Sequence, residues 1–330
     1  MRRVVWSVLT GLGVFFIVVA LMLRFFTPGQ ALKFPLNEHT IVTLQGTGTY
    51  FSEAQLQELA DVNVRVTETV LGDVGAADAA GSSHTAVWRS FASWTDTNNH
   101  ARFVYMSSRL PFDRKTGVLL HCCGATASET DISGRHGLNI SGQSFVWPIG
   151  TQKKTYQVFD ATLGAPTPYR YTGTQIVNGI TTYKFVTHIP NTAVGTQTVP
   201  ASLVGLPGIE VTLPEYYTAT KVVWVDPVTG APIRHDERGQ LVLQDSSGTT
   251  RLVLFAGDLV TTPASVAANA SSDRSNQLKI QLVETVLPIS AAVLGLILLV
   301  AGLVLSRRRM DDEYEESEDF DDGESYGSPA

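Results

Sequence analysis

The sequence predicts a mainly β protein, with an antiparallel, β-rich extracytoplasmic domain and a few short helices set between two transmembrane α-helices. Three observations carry this reading. Residues 285–306 (TVLPISAAVLGLILLVAGLVLS) run for 22 residues without a charge, and residues 4–23 do so for 20. At about 1.5 Å per residue, either run covers a hydrocarbon core of roughly 30 Å. Between the two, short stretches rich in branched and aromatic residues alternate with turns built on Asp, Asn and Gly.

The chain opens on Met1-Arg2-Arg3, and the apolar run behind it is longer than the roughly 7–15 residues of a signal-peptide core. Arg24 interrupts the approach to a small-residue cleavage site, while Gly29-Gln30-Ala31 would serve as one. The reading is a retained signal anchor over residues 1–26, with cleavage as the alternative. Arg307, Arg308 and Arg309 follow the second run. Positive charge flanking a span stays on the cytoplasmic side, so these three, with Arg2 and Arg3, place both termini inside and residues 27–262 outside. The expected order is therefore anchor 1–26, outer domain 27–262, juxtamembrane helix or linker 263–284, span 285–306 and cytoplasmic segment 307–330.

Charge divides in the same way. The whole chain carries −7, but residues 311–324 alone hold ten acidic and no basic side chains. Such a tail reads as a disordered, solvated segment. Between residues 27 and 306 there are 18 Lys and Arg against 21 Asp and Glu, so the outer domain is near neutral. Nucleic-acid binding, which relies on a basic surface, is excluded from the expected functions.

Within the outer domain, DVNVRVTETV places Val62, Val64 and Val66 at the two-residue period of a half-buried strand. Residues 102–107, 182–188 and 251–255 are further strands, and Val222-Val223-Trp224-Val225 is apolar on both faces, as a central strand would be. Asn178-Gly179 predicts a two-residue hairpin. Asp113, Asp160 and Asp226 each precede a Gly by four residues, and Asp245 precedes Gly248 by three. The Asp carboxylate caps such a turn and Gly takes its left-handed position, so these add hairpins to a meander of some ten or more strands. A short helix is expected over residues 52–60 behind Ser52, and a surface loop over residues 72–83. Thr262 as cap and Pro263 as first helical residue begin either a helix, broken near residues 271–275, or a linker, and Pro288 should kink the chain near the outer face.

Motifs for catalysis are absent. Lys115-Thr116-Gly117 matches one element of penicillin-binding proteins without the accompanying nucleophile motif, and there is no G-x-S-x-G, phosphate-binding loop or H-E-x-x-H. No enzyme activity, cofactor or metal is expected. Cys122 and Cys123, the two cysteines, are adjacent. Neighbouring α-carbons lie about 3.8 Å apart, short of the roughly 4.4–6.8 Å of common disulfides. The favoured reading is a vicinal disulfide stiffening the turn that ends at Gly124. A redox switch and a metal site with His121 and His136 are the alternatives. Trp88, Trp94, Tyr156, Phe159, Tyr169, Tyr171, Tyr216, Tyr217 and Trp224 recur along the strands. They are core residues or, if several face one interior, the lining of an apolar ligand cavity.

The stretches LPFDRKTGVLLHCCG, SFVWPIGTQKKTYQVFDATLGAPTPYRYTGTQIVNGITTYKF, ASLVGLPG and EYYTATKVVWVDPVTGAPIRHDERG, followed by a Pro-containing span ending in RRR, resemble the actinobacterial porin PorA family. The likeness runs from span to span. It implies an actinobacterial cell-envelope protein with two spans and a β-rich outer domain, and it matches the family's double cysteine at Cys122 and Cys123; it supplies no catalytic residues. The layout also resembles that of class B scavenger receptors, which pass lipids through a β-rich outer domain, a resemblance of architecture without shared residues. The residues themselves point away from a channel, since an outer-membrane barrel needs lipid-facing strands and long apolar helices retain a chain in the inner membrane. The expected function is binding or passage of an apolar envelope ligand such as a membrane lipid. The alternative is a scaffold for cell-envelope proteins, with the porin activity of the family name third.

Overall fold

The computed structural model describes residues 2–26, 32–129 and 138–321 of the 330-residue chain. His136, and with it half of the expected metal pair, lies outside the described residues. Two compact units form, one from Lys33–Gln277 and one from Met1–Leu32 with Leu278–Ala330.

The larger unit is one sheet. Its strands are β1 (His39–Ser52), β2 (Gln57–Gly72), β3 (Thr85–Asp96), β4 (Arg102–Asp113), β5 (Thr126–Glu129), β6 (Tyr156–Asp160), β7 (Ala165–Val177), β8 (Ile180–Pro200), β9 (Glu210–Val225), β10 (Pro232–Gln244) and β11 (Thr250–Thr261). Their order is β5-β4-β3-β2-β1-β11-β10-β9-β8-β7-β6, with every neighbouring pair antiparallel. The expected meander is present, but β1 pairs with β11, so the first and last strands are central neighbours and the chain enters and leaves the sheet at one end.

Local sequence explains the elements. Val62, Val64, Val66 and Val70 are buried while Asp61, Asn63 and Arg65 are exposed, the alternation of a strand with one apolar face. Asn178 and Gly179 take φ of 46° and 81° between Val177 and Ile180, a pair in register, as a two-residue hairpin requires. In the β9–β10 turn Asp226 accepts from the Val228 and Thr229 amides while Gly230 has φ of 78°. Two expectations fail. Residues 52–60 are not helical: Ser52 ends β1, Leu56 has φ of 52°, and residues from Gln57 pair back onto β1, because the hairpin buries Leu59 beside Tyr50 where an isolated two-turn helix would bury little. Residues 72–83 are not wholly loop, since Asp73 caps a short helix, α2 (Val74–Ala79), by accepting from the Ala76 amide at 3.0 Å.

The sheet curls strongly. Tyr50 of β1 stacks on Phe103 of β4, three strands along the sheet, at 4.0 Å between ring centroids. At the end where the chain enters and leaves, the curl closes: Phe112 of β4 bridges to Leu119, Val118 to Gln143, and Gln143 to Val158 of β6. The Leu119 amide donates to the Gly142 carbonyl and the Gln143 amide to the Gln157 carbonyl, so segments outside the strands complete the ring. That end is filled by two clusters, one around Phe34, Trp88, Phe112 and Val146, the other around Trp147, Tyr156, Tyr169 and Phe185.

Helix α3 (Pro263–Gln281) starts where expected, with the Thr262 hydroxyl accepting from the Ser265 amide, and runs without a break. It packs Val266 and Ala270 on Trp224 and Ile233, which is why β9 is apolar on both faces. Buried Asp273 faces the β9–β10 turn. The single Thr229 hydroxyl lies 2.9 Å from Asp226 and 2.5 Å from Asp273 while also accepting from the Ala231 amide. One hydroxyl proton cannot serve two carboxylates. Asp226 also receives the Gln277 amide and two backbone N–H groups, so the remaining proton belongs to Asp273. Burial, with Asp226 beside it, raises the Asp273 carboxyl from an ordinary 3.8 to about 7. The unfolded chain releases this proton near 3.8 and the folded chain near 7, so stability falls as pH rises through that interval and is level above it. Asp273→Asn is expected to flatten the slope and raise the melting temperature at pH 8; thermal unfolding of both proteins between pH 4 and 8 checks this.

In the smaller unit, α1 (Arg2–Phe25) and α4 (Leu287–Asp321) are antiparallel, and α4 remains helical through part of the acidic segment expected to be disordered. Residues Val5–Phe25 and a run within Pro263–Ser306 are long and apolar enough to cross a membrane. A π-helical turn, Leu282–Val286, precedes Pro288, which cannot donate to the Glu284 carbonyl four residues back; Arg24 lies 3.5 Å from that carbonyl. Close contact of the two helices depends on glycine. A Cβ at Gly13 would sit 2.6 Å from the Leu299 nitrogen, and one at Gly295 2.9 Å from the Gly13 carbonyl oxygen. Gly295→Leu is therefore expected to separate the pair, read as a lengthened distance between spin labels attached at Val5→Cys and Val304→Cys, both on exposed faces.

Candidate functional site

Register explains why the curl is hollow. Across β1, β11, β10 and β9, Gly48, Gly257, Gly239 and Ala219 stand side by side. These positions project almost nothing into the interior. On one side of this row lie Tyr50, Phe255, Leu241 and Tyr217, and on the other Gly46, Leu259, Glu237 and Lys221. The Phe255 ring lies over Gly257 and Gly48, and Gly239 borders a cavity of about 520 Å³, within the range of small-ligand sites. Trp94, Phe103 and Met106 from β3 and β4 form its far wall, and Glu215, Tyr217, Glu237 and Leu241 its near wall. Its lining includes residues of the β1–β2 turn, away from the closed end.

The polar side of the cavity is a buried charge cluster. The Lys221 ammonium lies 2.6 Å from Asp160 and 3.3 Å from Glu237, and Tyr217 donates to the same Glu237 oxygen at 3.0 Å. Burial alone would lower Lys221, but Asp160 and then Glu237 outweigh it and hold the ammonium charged well above its usual range. Burial raises the Tyr217 and Tyr169 phenols and keeps both neutral. Glu68 is raised by burial against the pull of Lys221, and His235 is lowered, first by burial. His235 stands 3.9 Å from the second Glu237 oxygen. The site can hold an apolar body and hydrogen-bond one polar end.

Of the nine aromatic residues singled out from the sequence, Trp94 and Tyr217 line this cavity. Trp88 and Phe159 pack in the cluster around Phe112, while Tyr156, Tyr169 and Tyr171 belong to that around Phe185. Trp224 lies under α3, and Tyr216 is on the outward face of β9, opposite Val242. Tyr50, Phe103, Phe255 and the Lys221 cluster were missed. A signal existed: Glu68 keeps the period of Val62, Val64 and Val66, and Lys221 that of Val223 and Val225, which marks both as inward-facing charges on apolar faces. Cys122 and Cys123 are disulfide-bonded, with left-handed backbone at Cys123 and Gly124, on an exposed turn. Among the described residues no group of three or more His, Cys, Asp or Glu is placed to hold a metal ion.

The fold and site define a curled antiparallel β domain with a ligand-sized interior, carried on a chain with two helices fit for a membrane. The chain belongs to the porin PorA family, whose profile matches residues 7–304. No curated protein matches it.

Proposed function

We propose that this protein is a two-pass cell-envelope membrane protein with both termini cytoplasmic, whose outer domain binds or passes an apolar ligand such as a lipid without catalysing a reaction. The observation that carries the reading is the cavity: about 520 Å³, lined by Tyr50, Trp94, Phe103, Leu241 and Phe255, with carboxylates at one side. An eight-stranded barrel is just wide enough for its own side chains or one small ligand, and eleven curled strands leave more room. Purification of the full chain from its native membranes into nanodiscs, followed by native mass spectrometry, tests the reading. One tightly held apolar molecule per chain is expected. A bare protein mass would overturn it in favour of a scaffold for envelope proteins. Gly239→Val should reduce the occupancy, because its Cβ enters the interior 3.5 Å from that of Ala219.

The family description supports a second reading, a channel. It meets a physical obstacle in the sheet's outward face, where Asp61, Asn63, Arg65, Arg238 and Asp258 stand exposed or paired with each other. A strand wall in lipid needs an apolar outer band. Planar-bilayer recording of the purified chain separates the two readings, with no conductance expected.

A further inference from the structure

We propose that the cavity selects amphiphiles whose polar end is an uncharged or cationic hydrogen-bond donor, and discriminates against anionic head groups. This rests on the reading that the cavity holds an apolar chain. Of the charged side chains that line it, Glu53, Glu215 and Glu237 are acidic and Arg102 is basic. Arg102 sits on the exposed start of β4, on the wall of the cavity opposite Glu237 of β10. Among the described residues, Lys221 lies beside Glu237 on the neighbouring strand and is already shared by two carboxylates, at 2.6 Å and 3.3 Å. It has no charge to spare for a third.

The geometry at Glu237 shows which polar end fits. Both protein donors, Tyr217 and Lys221, approach Oε1. Oε2 faces the His235 Nε2 across 3.9 Å, too far for a direct hydrogen bond, and that nitrogen has no hydrogen-bond partner. A hydroxyl or ammonium entering along the cavity would donate to the Glu237 carboxylate, which lines it, while the buried His235 nitrogen is not part of the lining. A carboxylate or phosphate would bring a like charge against Glu237 in an interior where charges are poorly screened. The groups facing this point are Asp160, Lys221, Tyr217, Glu68 and His235; burial keeps the last of these uncharged, so it adds no positive charge.

The test uses the full chain in nanodiscs and three photoreactive probes with the same dodecyl chain, ending in an amine, an alcohol or a carboxylate. Crosslinks are mapped by peptide mass spectrometry. The amine and the alcohol are expected to label peptides holding Tyr50–Ala54 and Trp94–Met106, and the carboxylate about tenfold less. Glu237→Gln should remove the preference of amine over carboxylate while the alcohol continues to label. Should that variant fail to fold, Arg102→Gln on the exposed rim is the second variant, and it should weaken carboxylate labelling further. Equal labelling by amine and carboxylate in the parent protein would overturn the selectivity and leave the apolar cavity standing. Labelling of these peptides by none of the probes would overturn both.

Discussion

Replacing Lys221 with methionine is expected to destabilise the β unit by about 3–5 kcal/mol, the cost of removing one partner from a buried ion pair. The Lys221 side chain is 12 % exposed, and its ammonium stands between Asp160, whose side chain is 2 % exposed, and Glu237. Methionine fills the volume and leaves two carboxylates facing each other without a cation. The pH dependence has a definite sign. Because the folded state raises Lys221 above its ordinary 10.5, its contribution is complete below that pH and is lost as pH rises through the higher folded value. A triple variant, Lys221→Met with Asp160→Leu and Glu237→Leu, should recover most of the loss, since an apolar replacement of a whole buried ionic group is often neutral. Chemical denaturation of the parent, single and triple variants in one detergent measures both effects. A single variant within about 1 kcal/mol of the parent would show that the cluster is solvated and not buried.

Gly46→Val is expected to abolish folding of the sheet. A Cβ at Gly46 would lie 1.8 Å from the Asp258 carbonyl oxygen, a backbone atom of the facing strand that cannot move without breaking the β1–β11 ladder. That ladder joins the two halves of the sheet, so its loss is not local. Gly173 on β7 is the control: it has ordinary φ, a Cβ added there would meet nothing within 4 Å, and Gly173→Ala should be neutral or slightly stabilising. Limited proteolysis of membranes carrying each variant distinguishes them. Persistence of a protease-resistant domain in Gly46→Val would contradict the pairing of β1 with β11.

Much of this architecture could be read from local chemistry. The Asn178-Gly179 hairpin, the Asp-led turns at Asp160, Asp226 and Asp245, and the start of α3 at Thr262-Pro263 are each specified by residues within a few positions of one another. What could not be read depends on distant pairing. The β1–β11 ladder joins residues such as Leu44 and Thr261, and no short-range pattern encodes that partner. The closure through Leu119 and Gln143 uses segments too short to register as strands. The glycine row was invisible for the same reason, because Gly48, Gly239 and Gly257 become neighbours only after three strands have paired. Residues 52–60 illustrate the opposite error, in which good local helix formers yielded to a hairpin that buries Leu59. Trp94 and Tyr217 were legible as apolar anchors, but which aromatic residues line a cavity and which fill a core is settled by the curl.

The most direct test of the central claim is experimental density inside the sheet of the full chain purified from its native membranes. A continuous, elongated feature from the Tyr50–Phe103 pair to Glu237, flanked by Trp94 and Leu241, is the expected result. A collapsed interior with Trp94 and Leu241 packed against Glu237, or one holding isolated ordered waters alone, would contradict it.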